Sequence, residues 1–111
     1  MLKKNNYIKL LDPSHPYSKK GYIWEHRVVV ERFIGRILEP FEIIHHIDED
    51  KTNNKIENLM VFQSNKEHIK WHTKLRQYGY TTSIMKRIIE NRWKELEELD
   101  RKLNRPKGLN T

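Results

Sequence analysis

The strongest constraint on the fold of this chain is a pair of short apolar segments separated by a polar turn. Residues 43–47 (IIHHI) are rich in the β-branched side chains that favour strands, and Leu59–Phe62 (LMVF) has the composition of a buried strand. Residues 48–55 (DEDKTNNK) lie between them and have the composition of a turn. The pattern predicts two strands joined by a polar loop.

A capped helix is predicted directly after the second strand. Ser64 is followed three residues later by Glu67, which is the spacing of a capping box. The apolar residues that follow predict a helix to about Tyr78, ended by Gly79. The whole segment is therefore predicted to form a strand–turn–strand–helix unit.

The residues before this unit predict a smaller amount of regular structure. Residues 1–6 have the polar composition of a solvated start, and Tyr7–Leu11 and Tyr22–Trp24 are short strand candidates. Glu25–Ile34 carries apolar residues at helical spacing and is followed by Gly35, so it is predicted to be a helix. A strand is the alternative for this segment, because its three consecutive valines are β-branched.

A long amphipathic helix is predicted over residues 84–103, with an N-cap among residues 81–83. Its apolar residues recur at spacings of three and four, with Arg92 as a polar interruption. This face can pack on the core, which we favour, or pair with a second copy as a short coiled coil in a homodimer. It can also lie along DNA, although the acidic second half of the helix argues against that use.

The composition limits the classes of protein to which the chain can belong. The 111 residues suffice for one compact unit, which we divide into an N-terminal segment (1–20), a core (21–79) and a C-terminal helix with its tail (80–111). The absence of cysteine excludes disulfides, thiolate metal sites and a cysteine nucleophile. No apolar run is long enough to cross a bilayer, and the N-terminus lacks the apolar region of a secretory signal. We therefore expect a cytoplasmic protein without a membrane partner.

Four of the six histidines fall within the strand–turn–strand–helix unit. His68 and His72 are four residues apart on the predicted helix, so both imidazoles lie on one face and can share an ion. His45 and His46 are adjacent on a strand, so their side chains point to opposite faces. One of these two can join His68 and His72 as a metal ligand, while the other keeps a free nitrogen for proton transfer.

Each histidine pair, taken alone, also has a purely structural interpretation: two solvent-facing side chains on the helix, and one core and one exposed side chain on the strand. Together they give three ligands without an obvious fourth, which is typical of a catalytic metal site that keeps one position open. Of the remaining histidines, His26 is expected to be a hydrogen-bonded packing residue, and we assign no chemistry to His15.

Several separated motifs occur in order within residues 21–72: E-H-R, G-R-x-L, H-H-I-D, N-N-x-x-E-N-L and E-H-x-x-x-H. In this combination the segment resembles the HNH endonucleases, which are nucleases of the ββα-metal class, including phage and homing enzymes. The resemblance implies an α+β fold with a small ββα-metal core, an N-terminal strand and helix segment, and a long C-terminal helix. It also implies metal-dependent hydrolysis of DNA phosphodiester bonds.

The resemblance assigns a role to each motif residue. His46 takes the general-base position and should deprotonate the attacking water. His45 and His68 take metal-ligand positions, and His72 resembles the additional ligand of histidine-rich members such as the colicin nucleases. Asn58 takes the central asparagine position, where its amide should bridge the loop and keep His46 oriented.

Asn54 is the alternative for the asparagine position if that register is wrong. The resemblance implies Mg²⁺ as a common cofactor of the family, while an imidazole-rich site also suits Mn²⁺, Ni²⁺ or Zn²⁺. The ion should contact the scissile phosphate and the leaving 3′ oxygen, and the expected products are a 5′ phosphate and a 3′ hydroxyl.

An excess of positive charge supports DNA as the partner. The net charge is +7, from 22 Lys and Arg against 15 Asp and Glu, and each neutralised phosphate releases condensed counterions. Arg27 is a candidate phosphate contact, with an ion pair to Glu31 as its alternative. The lysines around the predicted site are further candidates, with an ordinary solvated surface as their alternative: Lys51, Lys55, Lys66, Lys70 and Lys74.

Two other functions compete with the nuclease. The chain can be a non-catalytic DNA-binding protein of the same fold, although the intact set of histidines and asparagine argues against this. It can also be a structural zinc module that binds protein partners through its C-terminal helix. Dependence of DNA nicking on a divalent metal separates these alternatives from the enzyme.

Overall fold

The computed structural model describes residues 2–4, 6–78 and 82–108, so the predicted helix end at Gly79 and the first residue of the predicted N-cap lie outside it. A 3₁₀ turn at Ile56–Asn58 directly precedes a strand at Leu59–Phe62. The α+β class is the predicted one. The elements in chain order are β1 (Leu2–Lys4), β2 (Tyr7–Leu11), β3 (Tyr22–Trp24), α1 (Glu25–Ile34), β4 (Ile43–His46), β5 (Leu59–Phe62), α2 (Asn65–Arg76) and α3 (Ser83–Lys102).

The N-terminal strands form an antiparallel sheet in the order β1-β2-β3. The prediction of a solvated start was wrong for β1, in which Leu2 pairs with Lys9 of β2. A three-residue strand has too little alternation to be recognised in sequence, and here it forms because β2 offers it an edge. On its other side β2 pairs with β3, so the sheet joins residues on both sides of the boundary predicted after residue 20.

The β4–β5 hairpin is the centre of the fold. His45 pairs with Met60 and His46 pairs with Leu59, so successive residues of each strand face opposite sides. Met60 belongs to a buried cluster with residues of α2 and α3. Leu59 belongs to a second buried cluster with residues of α1 and α3. The hairpin is therefore covered on both faces, which is why all four residues of β5 are buried.

Helix α1 confirms the helical prediction over the strand alternative. Val30 is completely buried against the hairpin, and the neighbouring Val29 and Ile34 pack around it. Gly35 ends the helix in the left-handed conformation (φ 82°), and its N–H donates to the carbonyl of Glu31 at 2.8 Å. Glycine adopts this conformation without steric cost, which explains the sharp stop.

Helix α2 begins at the predicted cap. The Ser64 hydroxyl accepts a hydrogen bond from the N–H of Glu67 at 3.1 Å. The helix ends at Arg76, two residues before the predicted end. Gln77 and Tyr78 donate to carbonyls three residues earlier, so the last turn tightens into 3₁₀ geometry.

Helix α3 packs on the hairpin, as favoured from its apolar stripe. Met85 and Leu96 are buried, one in each of the two clusters. Arg92, the polar interruption of the stripe, reaches over the packed face and donates to the carbonyl of Val61 and to the carboxylate of Glu67. A homodimer through α3 would have to use residues outside this face, because the apolar stripe is largely consumed within the chain.

A buried ion-pair network attaches the end of α3 to the connection between α1 and β4. Arg36 donates to both carboxylate oxygens of Glu42, at 2.8 and 3.0 Å, and to both oxygens of Asp100, each at 2.9 Å. Arg105 adds contacts to the same two carboxylates. Arg36 and Glu42 are both buried, so the network holds α3 in place through satisfied charges.

Among the described residues, no helix combines the length and the hydrophobicity that crossing a bilayer requires.

Candidate active site

Three imidazoles converge between β4 and α2. Nδ1 of His45 lies 3.0 Å from Nε2 of His68, which is near the start of α2. The ring centroid of His72, one helical turn later, lies 5.2 Å from that of His45 and 5.7 Å from that of His68. Phe62 packs against both His45 and His68. The structure therefore brings together the three residues predicted as metal ligands.

The electrostatic environment favours the neutral form of His45 and His68. Burial, together with the nearby charges of His68 and His72, lowers the pKa of His45 to about 4. Burial and then repulsion from His72 also lower the pKa of His68. A neutral imidazole has the lone pair that a metal ion requires, so these pKa shifts favour metal binding at neutral pH.

The three imidazole nitrogens are suitable ligands for a divalent metal ion. In this structure, however, the nitrogens of His45 and His68 contact each other, and that of His72 faces a carboxylate. Within the described ranges, no three His, Cys, Asp or Glu side chains form a ready-made metal site. The 3.0 Å between His45 and His68 is shorter than the separation of about 3.3 Å expected for two nitrogens on one tetrahedral zinc ion. Nε2 of His72 lies 3.6 Å from Oε1 of Glu49. Metal binding therefore requires a small separation of His45 and His68.

Glu49 is a neighbour of the cluster that sequence reasoning missed. Its backbone has the left-handed conformation (φ 63°), and its Oε1 accepts a hydrogen bond from Nη2 of Arg76 at 2.7 Å. The same oxygen faces His72. No local pattern connects residues 27 positions apart, so only the packing of α2 against the loop after β4 places this carboxylate beside the imidazoles.

His46 lies on the opposite face of β4 and belongs to a different hydrogen-bond network. Its Nε2 is 2.7 Å from Oδ1 of Asn54, and Nδ2 of Asn54 donates to Oε1 of Glu25 at 2.8 Å. An amide oxygen can only accept, so Nε2 of His46 carries the hydrogen and Nδ1 holds the lone pair. The network from Glu25 thus fixes the tautomer in which Nδ1 can accept a proton. The charge of His46 contributes to the lowered pKa of His45, so the two groups are electrostatically coupled.

The structure places Asn54, the alternative, in direct contact with His46, and it places Asn58 within the loop that carries Asn54. Asn58 accepts a hydrogen bond from the N–H of Asp48 and donates to Oδ1 of Asp48 and to the carbonyl of Asn53. It does bridge the loop, as expected. It stands at the end of the 3₁₀ turn, from which its amide reaches into the loop, so its influence on His46 is indirect.

His26 packs in the predicted way but without the predicted hydrogen bond. Its ring lies between aromatic neighbours, with centroids 5.5 Å from Tyr7, 6.2 Å from Trp24 and 5.2 Å from His46. Its buried Nδ1 makes no hydrogen bond within the described part of the chain. Burial, followed by the charges of His46 and Arg27, lowers the pKa of His26 to about 3. His26 is therefore a neutral aromatic neighbour of His46.

Arg27 binds backbone carbonyls of the connection that precedes β4. Its Nη1 donates to the carbonyl of Glu42 at 2.8 Å, and its Nη2 donates to the carbonyl of Glu39 at 2.7 Å. The guanidinium thereby fixes the connection that leads into β4. These bonds stand in place of the expected ion pair with Glu31, and the phosphate contact stays a prediction.

The predicted DNA-contacting lysines differ in their surroundings. Lys55, Lys66 and Lys70 are exposed, as a contact with a phosphate backbone requires. Nζ of Lys51 lies 4.8 Å from the ring centre of Tyr7, and that ring lies 6.2 Å from His46. Lys51 therefore contacts an aromatic ring that neighbours His46.

A comparison with known protein families finds a match over the segment that carries the motifs. The HNH endonuclease family matches residues 24–68, which extend from the end of β3 into the start of α2. The match contains His45, His46 and His68 and ends before His72. No curated protein and no solved structure gives a significant match. Residues 24–68 are thus similar to the HNH endonuclease family, in agreement with the resemblance drawn from the motifs.

Proposed function

We propose that the chain is a metal-dependent DNA endonuclease. The observation that carries the proposal is the division of labour between His45 and His46. The first joins a cluster of imidazoles, and the second has its Nε2 hydrogen held by Asn54. This division supplies a metal-binding group and a proton acceptor from adjacent residues of one strand, which is what hydrolysis of a phosphodiester requires.

His46 acts as the general base. Its Nδ1 takes a proton from a water molecule while the water oxygen attacks phosphorus. The bond between phosphorus and the 3′ oxygen breaks, and the leaving oxygen takes a proton from solvent. The resulting ends are a 5′ phosphate and a 3′ hydroxyl. The hydrogen bond to Asn54 fixes the ring so that Nδ1 points away from the amide. The imidazole is therefore held in one orientation before the reaction.

His45, His68 and His72 are the residues that would hold a divalent cation. When bound, the cation supplies stabilisation of the negative charge that grows on the scissile phosphate and the leaving oxygen. Three nitrogen ligands favour Zn²⁺, Ni²⁺ or Mn²⁺ over the oxygen-preferring Mg²⁺ as the tightest-binding ion. Mg²⁺, common in the family, would rely more on water and phosphate oxygens.

DNA is the proposed substrate because of charge as well as family. The net charge is +7, and the exposed side chains of Lys55, Lys66 and Lys70 lie on the elements that carry the site. Contacts from such lysines to phosphates are independent of sequence. Affinity for DNA should accordingly fall steeply as salt is raised.

The decisive experiment is cleavage of supercoiled plasmid by the wild type and His46→Ala in the presence of Mg²⁺, Mn²⁺, Ni²⁺ or Zn²⁺. We expect the wild type to nick or linearise the plasmid and EDTA to abolish this activity. The variant should be slower by about 10²–10⁴-fold, the usual contribution of a general base. A Lys102→Gln variant, purified identically, keeps every proposed catalytic and metal-binding residue and should cleave like the wild type, whereas residual cleavage by His46→Ala sets the upper limit for contaminating nuclease.

A non-catalytic DNA-binding protein is the second candidate. The direct contact between His45 and His68 favours it, because it satisfies these nitrogens without an ion. Metal-independent binding of DNA with no cleavage by any of the four ions would establish this candidate and refute the nuclease. Cleavage that is equal in His46→Ala and the wild type would refute the proposed role of His46.

A further inference from the structure

A second concave site lies beside the candidate active site, on the N-terminal sheet. It is a cavity of about 200 Å³ formed by β2, β3, the loop between them and the start of α1. Three aromatic and three cationic side chains contribute to its lining: Tyr17, Tyr22, Trp24, Lys9, Lys19 and Arg27. We call it the Trp24 cavity. Neither the proposed metal centre nor the general base uses it.

The lining combines flat apolar rings with positive charge. Nζ of Lys9 lies 4.9 Å from the ring centre of Trp24, so a cation already rests on the indole face. Among the described residues that line the cavity, none is acidic. Aromatic faces bind planar rings, and lysines bind phosphates, so the lining suits a ligand that is both planar and anionic. A nucleotide has both properties.

The cavity is close to the proposed general base. The rings of Trp24 and His26 are nearly parallel (19°), with centroids 6.2 Å apart, and the ring of His26 lies 5.2 Å from that of His46. Together, the distances from Trp24 to His26 and from His26 to His46 span a few nucleotides of a stacked strand, in which the rise is roughly 3.4 Å per nucleotide. A strand that places one phosphate beside His46 can therefore place a nearby base at Trp24.

We propose that the Trp24 cavity binds an unpaired base of the DNA strand that is cut, a few nucleotides from the scissile phosphate. The inference rests on the proposed function, because it takes DNA as the occupant. In a duplex, both faces of each base are covered by neighbouring bases, so only an unpaired base can stack on the indole. The ammonium of Lys9 moves from the ring to the adjoining phosphate when the base enters.

The size of the cavity agrees with a single base. Pockets for drug-sized ligands measure about 300–1,000 Å³, so the Trp24 cavity has room for one base and part of its sugar rather than for a base pair. Stacking on an aromatic ring is tolerant of base identity, because every base has a flat face. The cavity therefore favours single-stranded or locally opened DNA without selecting a sequence.

The test is binding in EDTA, where cleavage cannot interfere. Fluorescence anisotropy with labelled oligo(dT), and with a labelled blunt duplex of equal length, is measured for the wild type, Trp24→Ala, Trp24→Phe, Lys9→Gln and Lys19→Gln. We expect Trp24→Ala to weaken oligo(dT) binding roughly tenfold and duplex binding by less than about twofold. Trp24→Phe should retain most of the affinity. Lys102→Gln, a lysine change outside the cavity, is the matched control.

Two further measurements keep the test decisive. Circular dichroism shows whether Trp24→Ala folds; if it does not, the exposed Lys19 decides, and Lys19→Gln should weaken oligo(dT) binding more than Lys102→Gln does. Equal losses for oligo(dT) and duplex, or unchanged oligo(dT) binding in the variants of Trp24 and Lys9, would overturn the inference. Plasmid cleavage is scored separately, so selective oligo(dT) binding without cleavage would refute the nuclease and not the cavity.

Discussion

Nε2 of His46 lies 2.7 Å from Oδ1 of Asn54, eight residues later in the chain. Asn54 in turn donates to Glu25, which fixes its amide oxygen toward the imidazole. The consequence is a defined tautomer, with the hydrogen on Nε2 and the lone pair on Nδ1. Asn54 of the loop and Glu25 of α1 thus determine that Nδ1 of His46 is the nitrogen that can accept a proton. The strand that carries His46 does not determine this.

Asn54→Ala should impair catalysis more than it impairs stability. Loss of the residue that orients the imidazole is expected to lower the rate of cleavage by about 10–100-fold, the range seen when supporting hydrogen bonds are removed. Asn58→Ala removes three loop hydrogen bonds and should instead destabilise the fold by about 1–3 kcal/mol. Rates of plasmid cleavage and urea unfolding of both variants check this. If Asn54→Ala lost as much stability relative to its loss of rate as Asn58→Ala does, the orienting role of Asn54 would be contradicted.

A charge swap should test the contact between Asn54 and Glu25. In Asn54→Asp the new carboxylate can still accept the hydrogen bond from His46. It also replaces the amide nitrogen that lies 2.8 Å from Oε1 of Glu25 in the wild type, so two carboxylates face each other. We expect this variant to lose activity, because like charges repel at such close range. Adding Glu25→Gln supplies an amide donor and should restore much of the rate. A double variant that is worse than Asn54→Asp would show that the two side chains are not coupled.

The three imidazoles should contribute unequally to metal affinity. His68→Ala is expected to weaken Ni²⁺ binding by more than about 100-fold, beyond the loss typical of supporting residues, because His68 directly faces His45. His72→Ala should cost less, because Nε2 of His72 faces Glu49. Isothermal titration calorimetry gives the affinities, and His46→Ala is the control that should bind normally. A greater loss in His72→Ala than in His68→Ala would be incompatible with this arrangement.

Glu42 should make the fold sensitive to acid. Burial alone would raise the pKa of Glu42, but the hydrogen bonds from Arg36 outweigh it, so the pKa lies below the ordinary 4.5. The unfolded chain therefore binds the proton first, and the stabilisation present above about pH 4.5 is lost as the pH falls through the folded pKa. Glu42→Gln should lose about 3 kcal/mol at pH 7 and depend less on pH below 4.5.

Urea unfolding of the wild type and Glu42→Gln at pH 7 and pH 4 measures both effects. Glu39→Gln changes a nearby carboxylate that is less buried and is the matched control. If Glu42→Gln is as stable as the control at pH 7, the ion-pair network does not hold α3 as described.

His26 should destabilise the protein in mild acid. Burial lowers its pKa to about 3, whereas in the unfolded chain the value is near 6.5. Between these values the unfolded state binds the proton and the folded state does not, so stability falls as the pH drops below 6.5. Acidification from pH 7 to pH 5 should cost about 2 kcal/mol from this residue alone.

His26→Phe keeps an aromatic ring in the same space and removes the titrating group. The decrease in Tm between pH 7 and pH 5 should be smaller in this variant than in the wild type. The buried His45 also has a lowered pKa, so part of the acid sensitivity should persist. An unchanged pH dependence in His26→Phe would show that His26 is protonated in the folded state.

Local signals were sufficient for most of the fold. The Ser64 cap, Gly35 and the β-branched residues of β4 each act within a few positions of the chain, so the hairpin, α1 and α2 were predicted near their observed bounds. Strand β1 was missed because its pairing with β2 is its main stabilisation. The end of α2 differed by two residues, because a helix terminus depends on small differences in hydrogen bonding.

The sequence by itself determined which residue types are available for chemistry and how neighbours divide between faces. Adjacent strand residues must point apart, and helical residues four apart must align, so backbone geometry required that only one of His45 and His46 join His68 and His72. The choice of His45 came from the family resemblance. Only the tertiary structure decided which distant groups meet these imidazoles. The contacts of Asn54 with Glu25 and of Glu49 with Arg76 join residues 29 and 27 positions apart. Such contacts arise from the packing of helices against the hairpin, and no local pattern encodes them.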